Sequence, residues 1–178
     1  MSRHTPNEDA TLIRYLTAHV SGKADAGAPP RQETYPRALA TLALVRIPCG
    51  NLLSGTTRMP LANPRRRGAK TVEVIRTEEK GSDVNLAFRL LWDAFAGRCG
   101  AQVLISDDSD ACETIRIAHD ELGMRVGVVN PHRRQPSRLL NAKADFTKQV
   151  SVTALAASQF PDPVIQVGHK PIFKPATW

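Results

Sequence analysis

The chain reads as an α/β protein built on a mainly parallel sheet. Two observations in the stretch Thr71 to Pro131 carry that reading. Short β-branched runs, Val72-Glu-Val-Ile75, Val103-Leu-Ile105 and Val126-Gly-Val-Val129, alternate with two longer segments whose apolar residues recur at helical spacing. Glycines and capping residues fall where those helices should begin and end. Strand, helix, strand, helix, strand in succession implies right-handed crossovers and a three-layer α/β/α arrangement.

Each element has its own local reason. Gly81 breaks the first strand, and Ser82 is a good N-cap for a helix. Ala87, Phe88, Leu91, Trp92 and Phe95 then share a helical stripe, and Gly97 closes it. The second helix carries Ile115, Ala118 and Leu122 on one face and ends at Gly123, and Asn130-Pro131 stops the third strand. Upstream, Leu12 to Thr17 reads as a strand, Ser21 to Pro30 as a loop, and Val45 to Pro48 as another strand. Pro36 suits the first turn of a helix reaching about Ala43. Residues 49–70 lack apolar periodicity and read as a long basic loop, too long for an ordinary connector. Downstream, Leu139-Leu140 suggests a short helix, Phe146 to Val152 a last strand, and an Ala-rich helix follows. The four prolines of residues 161–178 make an irregular tail.

At 178 residues one domain over 1–178 is expected, burying roughly 70% of its unfolded surface. Formal net charge is +7, which favours a polyanionic partner; only 5% of residues are aromatic, which argues against broad base-stacking platforms. Cys49, Cys99 and Cys112 form no Cys-x-x-Cys pair, so neither a zinc site nor a disulfide framework is expected, and a reducing cytoplasm fits best. No apolar run approaches the roughly 20 residues of a membrane span. No glycine-rich nucleotide loop is present, so no nucleotide cofactor is expected.

In a parallel sheet all strand-to-helix loops lie on one edge, where open α/β folds bind ligands. Asp83 follows one strand, and Asp108 and Asp110 follow the next. For any one of them a structural role at a helix start suffices. As a set they are in excess of what caps require. Clustered carboxylates repel, and a hard divalent cation offsets that repulsion. Asn85, Ser106 and Ser109 are placed to orient the acids. Glu79 can pair with Lys80. Arg65-Arg66-Arg67 with Lys70, and His132-Arg133-Arg134 with Arg138, are either solvated basic loops or phosphate contacts.

The residues Thr77-Glu-Glu-Lys-Gly-Ser-Asp-Val-Asn-Leu-Ala87 and Ile105-Ser-Asp-Asp-Ser-Asp110 resemble the NYN domain of the PIN-like nuclease superfamily, the LabA-like or uncharacterised-88 group. Ile13 to Ala18, Pro30 to Leu39, Val126 to Pro131, Ser158 to Pro161 and Lys174 to Trp178 extend the resemblance over nearly the whole chain. It implies a PIN-like sheet and a metal-dependent ribonuclease with Asp83, Asp108 and Asp110 on Mg²⁺ or Mn²⁺. Lys80, Arg65, Arg66, Arg67, Arg133, Arg134 and Arg138 would then hold the RNA. Asp107 stands where the family usually has Asn. The family's opening strand, ending in Asp-Gly-x-Asn and central in the sheet, has no counterpart, so an impaired RNA-binding or protein-interaction module is the second expectation. A third is another Asp-x-Asp phosphohydrolase, although Cys112 sits where a haloacid-dehalogenase-type enzyme wants Thr or Val. A homo-oligomer stays open.

Overall fold

A computed structural model describes residues 10–22, 25–132 and 137–178. It is a mixed α/β chain with parallel-rich sheets. The N-terminal part holds β1 (Ile13–Arg14), β2 (Thr17–Ala18), α1 (Ala28–Leu39), β3 (Val45–Arg46) and β4 (Cys49–Pro60). β1 pairs parallel with β3, and β2 parallel with β4. The single strand expected over Leu12 to Thr17 is therefore two short pieces. Tyr15 N–H still donates to Arg46 C=O across the break, but Pro48 has no N–H to return.

Helix α1 starts earlier than the sequence suggested and ends earlier. Pro29 and Pro30 pre-set its first turn, and the Asp25 carboxylate accepts from Gly27 N–H and pairs with Arg31. Pro36 lies inside the helix rather than at its start. Two hydrogen bonds tie α1 to the strand region: Gln32 donates to Ala18 C=O and accepts from Val20 N–H.

The segment expected as a loop over 49–70 is largely a strand. β4 pairs antiparallel with β5 (Thr71–Lys80), in register from Asn51 opposite Lys80 to Pro60 opposite Thr71. Only residues 61–70 connect them. The strand escaped notice because both faces of this ribbon are largely exposed, so no apolar alternation marks it. β5 consequently belongs to the β2-β4-β5 sheet, not beside the next strand of the chain.

The second half forms the parallel sheet β6 (Ala101–Ile105), β7 (Arg125–Asn130) and β8 (Phe146–Gln149), in that order. The crossover from β6 to β7 runs through a 3-10 turn (Ser109–Ala111), α3 (Cys112–Arg116) and a π-helical turn (Ile117–Glu121). α4 (Arg138–Lys143) leads to β8, and α5 (Val152–Ala157) follows. Helix α2 (Ser82–Phe95) precedes β6 and covers it. Leu104, Ile115, Ala118, Val126, Val128 and Leu140 make the core, with Leu86, Leu90 and Leu91 of α2 packed on it. The buried stripe of α2 thus differs from the expected one: Phe88, Trp92 and Phe95 stand exposed and stack on one another. Gly81, at φ +95°, is the N-cap of α2, and Ser82 is its first residue rather than its cap.

The irregular tail is anchored. Val164 and Ile172 bridge and pack on Ala38 of α1 with Phe160, and Tyr35 meets Tyr15, Phe160 and Trp178 edge-on. Among the described residues no helix is long and apolar enough to cross a membrane.

Two contacts are open to measurement. Arg14 of β1 binds the buried Asp93 of α2 through three hydrogen bonds of 2.7 to 3.0 Å, and Arg98 adds a fourth at 3.1 Å. Asp93→Ala strands a half-buried guanidinium and is expected to lower unfolding free energy by about 3 kcal/mol. A urea midpoint shift worth less than about 1 kcal/mol would class the contact as an ordinary surface pair. Gly127 of β7 lies against the Phe146 ring so closely that a Cβ would overlap it. Gly127→Ala is expected to lose about 1 to 3 kcal/mol, and adding Phe146→Leu should recover part of that loss.

Candidate functional site

The site lies where β6 ends. Ser106 N–H donates to Val129 C=O, which carries the β6–β7 pairing one residue past the strand. The loop then folds on its own side chains. Ser106 Oγ accepts from Asp108 N–H at 3.1 Å, and Asp108 Oδ1 accepts from Asp110 N–H at 3.0 Å. Asp108 therefore does cap the 3-10 turn. That bond engages one of its two oxygens. Asp107 accepts from Ser137 N–H at 3.2 Å, fixing the residue that precedes α4.

Helix α2 runs back over β6, with Gln102 of β6 donating to Leu90 C=O at 2.9 Å. A helix that returns over a strand in this way sets its N-terminus at the strand's C-terminal end. Asp83, in the first turn of α2, accordingly lines the same small cavity as Ser106, Asp108 and Asp110. The cavity measures about 90 Å³, and Leu86, Ala87, Leu90 and Leu104 form its apolar wall. A wider cleft of about 660 Å³ shares Ser106 and Asp108 with it and is bounded by Ile105, Asp107, Pro131 and His132. Asp83 thus reaches the cavity even though β5 is not in the β6 sheet; helix packing replaces strand adjacency as the cause.

The three acids share a cavity without closing into a ligand cage. Among the described residues, no three His, Cys, Asp or Glu groups stand close enough to hold a metal ion. The donors present are carboxylate and hydroxyl oxygens, the kind a hard cation takes.

The remaining expected residues divide. Asn85 sits below Gly81, its N–H donating to Gly81 C=O at 2.8 Å, and Ser109 opens the 3-10 turn at the surface. Arg138 begins α4, next to the Ser137 tied to Asp107. Arg133 and Arg134 lie outside the described residues. Lys80 pairs with Glu78 at 2.7 Å, not with Glu79, because residues 76, 78 and 80 share one face of β5; Arg76 joins the same carboxylate. These two cations hold the Glu78 carboxyl below its ordinary range, Lys80 first. Arg65, Arg66 and Arg67 lie on the loop joining β4 to β5, far from the acids. At about 3.3 Å per residue the ribbon spans about 30 Å from its base to that loop.

Two residues near the site had not stood out. Asn130, buried at the end of β7, accepts from His132 N–H at 2.8 Å, while Gln149 donates to His132 C=O at 2.7 Å. Together they fix the Pro131-His132 wall of the cleft. The Asn-Pro dipeptide signals only a strand end, so this role had no separate mark. Ser82, beside Asp83, has a buried hydroxyl oxygen with no hydrogen-bond partner.

Cys112 reports on the acids. Burial first, then the negative charges of Asp108 and Asp110, pushes its thiol above the ordinary value. It is therefore a neutral thiol near neutrality and a poor nucleophile. Replacing both acids by Asn removes charge that opposes the thiolate, so the Cys112 pKa should fall and alkylation by iodoacetamide at mildly alkaline pH should speed up. The exposed Cys49 is the internal reference. Unchanged Cys112 alkylation would mean that the two carboxylates do not act on it.

No family model matches the chain. By sequence it is 28% identical over 186 residues to the 6-hydroxy-3-succinoylpyridine 3-monooxygenase HspA of Pseudomonas putida, a match that takes in 96% of this chain and 58% of that protein. The chain thus spans less than two thirds of that curated relative's length. By structure it is similar to a protein of unknown function from Vibrio parahaemolyticus, with a TM-score of 0.49 and 17% identity over 76% of this chain and 67% of that one.

Proposed function

We propose that the chain is an NYN-type, PIN-like catalytic domain that hydrolyses RNA phosphodiester bonds with a divalent metal ion. The observation that carries this reading is the shared cavity: Asp83 from α2 and Asp108 and Asp110 from the β6 loop reach it from separate elements. The donor set fits Mg²⁺ or Mn²⁺ in kind, being all oxygen, and Asp83, Asp108 and Asp110 would hold the ion. Such an ion, when bound, supplies activation of water and stabilisation of charge on the phosphate.

The chain's own residues do the rest. Ser106 and Asp110 N–H fix the Asp108 loop, so its second carboxylate oxygen stays available to the cavity. Leu86, Ala87, Leu90 and Leu104 supply a firm apolar wall against which the acids are held. His132 on the cleft wall, and Arg138 at the start of α4, would meet phosphate oxygens in this reading. The three free cysteines accord with a reducing, cytoplasmic setting.

A second reading is oxidation of a small aromatic molecule, favoured by the similarity to a monooxygenase. The cleft of about 660 Å³ has the size of a small-ligand site. A third, an RNA-binding module without catalysis, is favoured by the open spacing of the acids. Incubation of labelled RNA with Mn²⁺, with chelator, and with Asp83→Asn or Asp110→Asn protein separates them. The nuclease reading expects chelator to stop cleavage and each variant to slow it by at least roughly a hundredfold. Cleavage at wild-type rate by Asp110→Asn would remove the site assignment. RNA binding without cleavage by the wild type would leave the binding module.

A further inference from the structure

The β4–β5 ribbon is the most strongly charged feature outside the cavity. At its base it pairs with β2 and touches α2; beyond that it stands largely exposed. Between Arg58 and Glu73 it carries Arg58, Arg65, Arg66, Arg67 and Lys70 against the single carboxylate of Glu73. Much of the chain's net +7 is therefore concentrated at one end of an extended arm. Residues 61–70 are all exposed. Among the described residues, the side chains of Arg65, Arg66, Arg67 and Lys70 have no ion-pair or hydrogen-bond partner, unlike the cations at the base, where Arg76 and Lys80 are both held by Glu78. Arg58 lies opposite Glu73 but donates to Thr71 Oγ1 at 3.3 Å.

We propose that the tip of this ribbon is a second nucleic-acid contact, gripping the phosphate backbone of duplex RNA about one helical turn from the Asp83–Asp108–Asp110 cavity. The distance follows from the ladder, about 30 Å at about 3.3 Å per residue, a reach on the order of one turn of an A-form duplex. The chemistry follows from the residues. The tip has cations and no aromatic side chain between Arg58 and Glu73, so it can neutralise phosphates but cannot stack on unpaired bases. Contacts of that kind are independent of base sequence and steeply dependent on salt. The arm sets a minimum length: a duplex shorter than about one turn can reach the cavity or the tip but cannot bridge both. The placement relative to a cleavage site and the choice of RNA over DNA rest on the nuclease reading; the grip on a phosphate backbone does not.

The test is fluorescence anisotropy in chelator, where no cleavage occurs, with RNA duplexes of roughly 8 and roughly 30 base pairs and a DNA duplex of the longer length. Wild-type protein should bind the long RNA at least roughly tenfold more tightly than the short one, with a steep loss on adding salt. Arg65→Ala, Arg66→Ala and Arg67→Ala combined should remove that length preference and lower the salt slope by about 2 to 3. The combined Lys variant, which keeps the charge, should retain both. Equal binding of long RNA by wild type and the Ala variant would overturn the proposal, as would equal wild-type affinity for the two lengths. Tighter binding of the DNA duplex would overturn the assignment to RNA. Far-ultraviolet circular dichroism confirms that the Ala variant is folded. Because the readout is binding without metal, loss of this proposal leaves the cleavage result untouched, and the reverse also holds.

Discussion

The packing of α2 across β6 is the constraint on which the site depends. Leu86, Leu90 and Leu91 sit on the core that contains Leu104, and Gln102 fastens the strand to the Leu90 carbonyl. Desolvating these partly buried leucines supplies the driving force. The geometric consequence is specific. The first turn of α2 must come down where β6 gives way to Ser106, and Asp83 arrives at Asp108 and Asp110 from a different part of the chain. The Arg14–Asp93 pair acts at the other end of the helix, tying it to β1. One helix is thereby held by the parallel sheet near its start and by the N-terminal strands near its end.

Three carboxylates beside one small apolar-walled cavity repel one another, and the backbone already offsets part of that repulsion. Asp83 lies in the first turn of a 14-residue helix, where unpaired N–H groups favour a negative charge. Asp108 accepts from Asp110 N–H. Asp110 lies in the first turn of the 3-10 helix that Asp108 caps. The raised Cys112 thiol expresses the same field through a neighbour.

The second half of the chain was legible because its signals are hydrophobic and local. Val103 to Ile105 and Val126 to Val129 are short β-branched runs bounded by turn residues, and they form the parallel pair β6–β7. Gly97 and Gly123 end their helices with positive φ, at 60° and 63°. The acids were legible as a group for a weaker reason: adjacency of β5 and β6 was assumed, and it does not exist. Helix packing brought them together instead. The failures share a cause. β4 and β5 bury little on either face, so their pairing is written in backbone hydrogen bonds that leave no apolar pattern. Phe88, Trp92 and Phe95 follow a helical period as faithfully as the buried leucines do, and periodicity alone cannot say which of two apolar stripes faces the core. Asp93 and Asn130 were invisible because a polar residue's burial depends on partners distant in sequence.

The same distinction explains the division of charge. Cations along the rest of the fold are largely committed: Arg76 and Lys80, at the ribbon's base, to Glu78, and Arg14 and Arg98, at the far end of α2, to Asp93. Each such pair orients an element and leaves little charge for a ligand. Cations at the end of the ribbon orient nothing, since the loop that carries them is exposed throughout. Holding several guanidinium groups close together without counter-charges costs free energy in the isolated chain, modestly so because water screens them. That cost is recovered only when an external anion arrives. Under the proposed function, an acidic cavity and a basic arm on one fold would serve an extended polyanion: one end would neutralise arginines, and the other would bring a phosphate toward carboxylates it would otherwise avoid. A neutral small molecule in the cleft would use the first feature and leave the second without a purpose in binding.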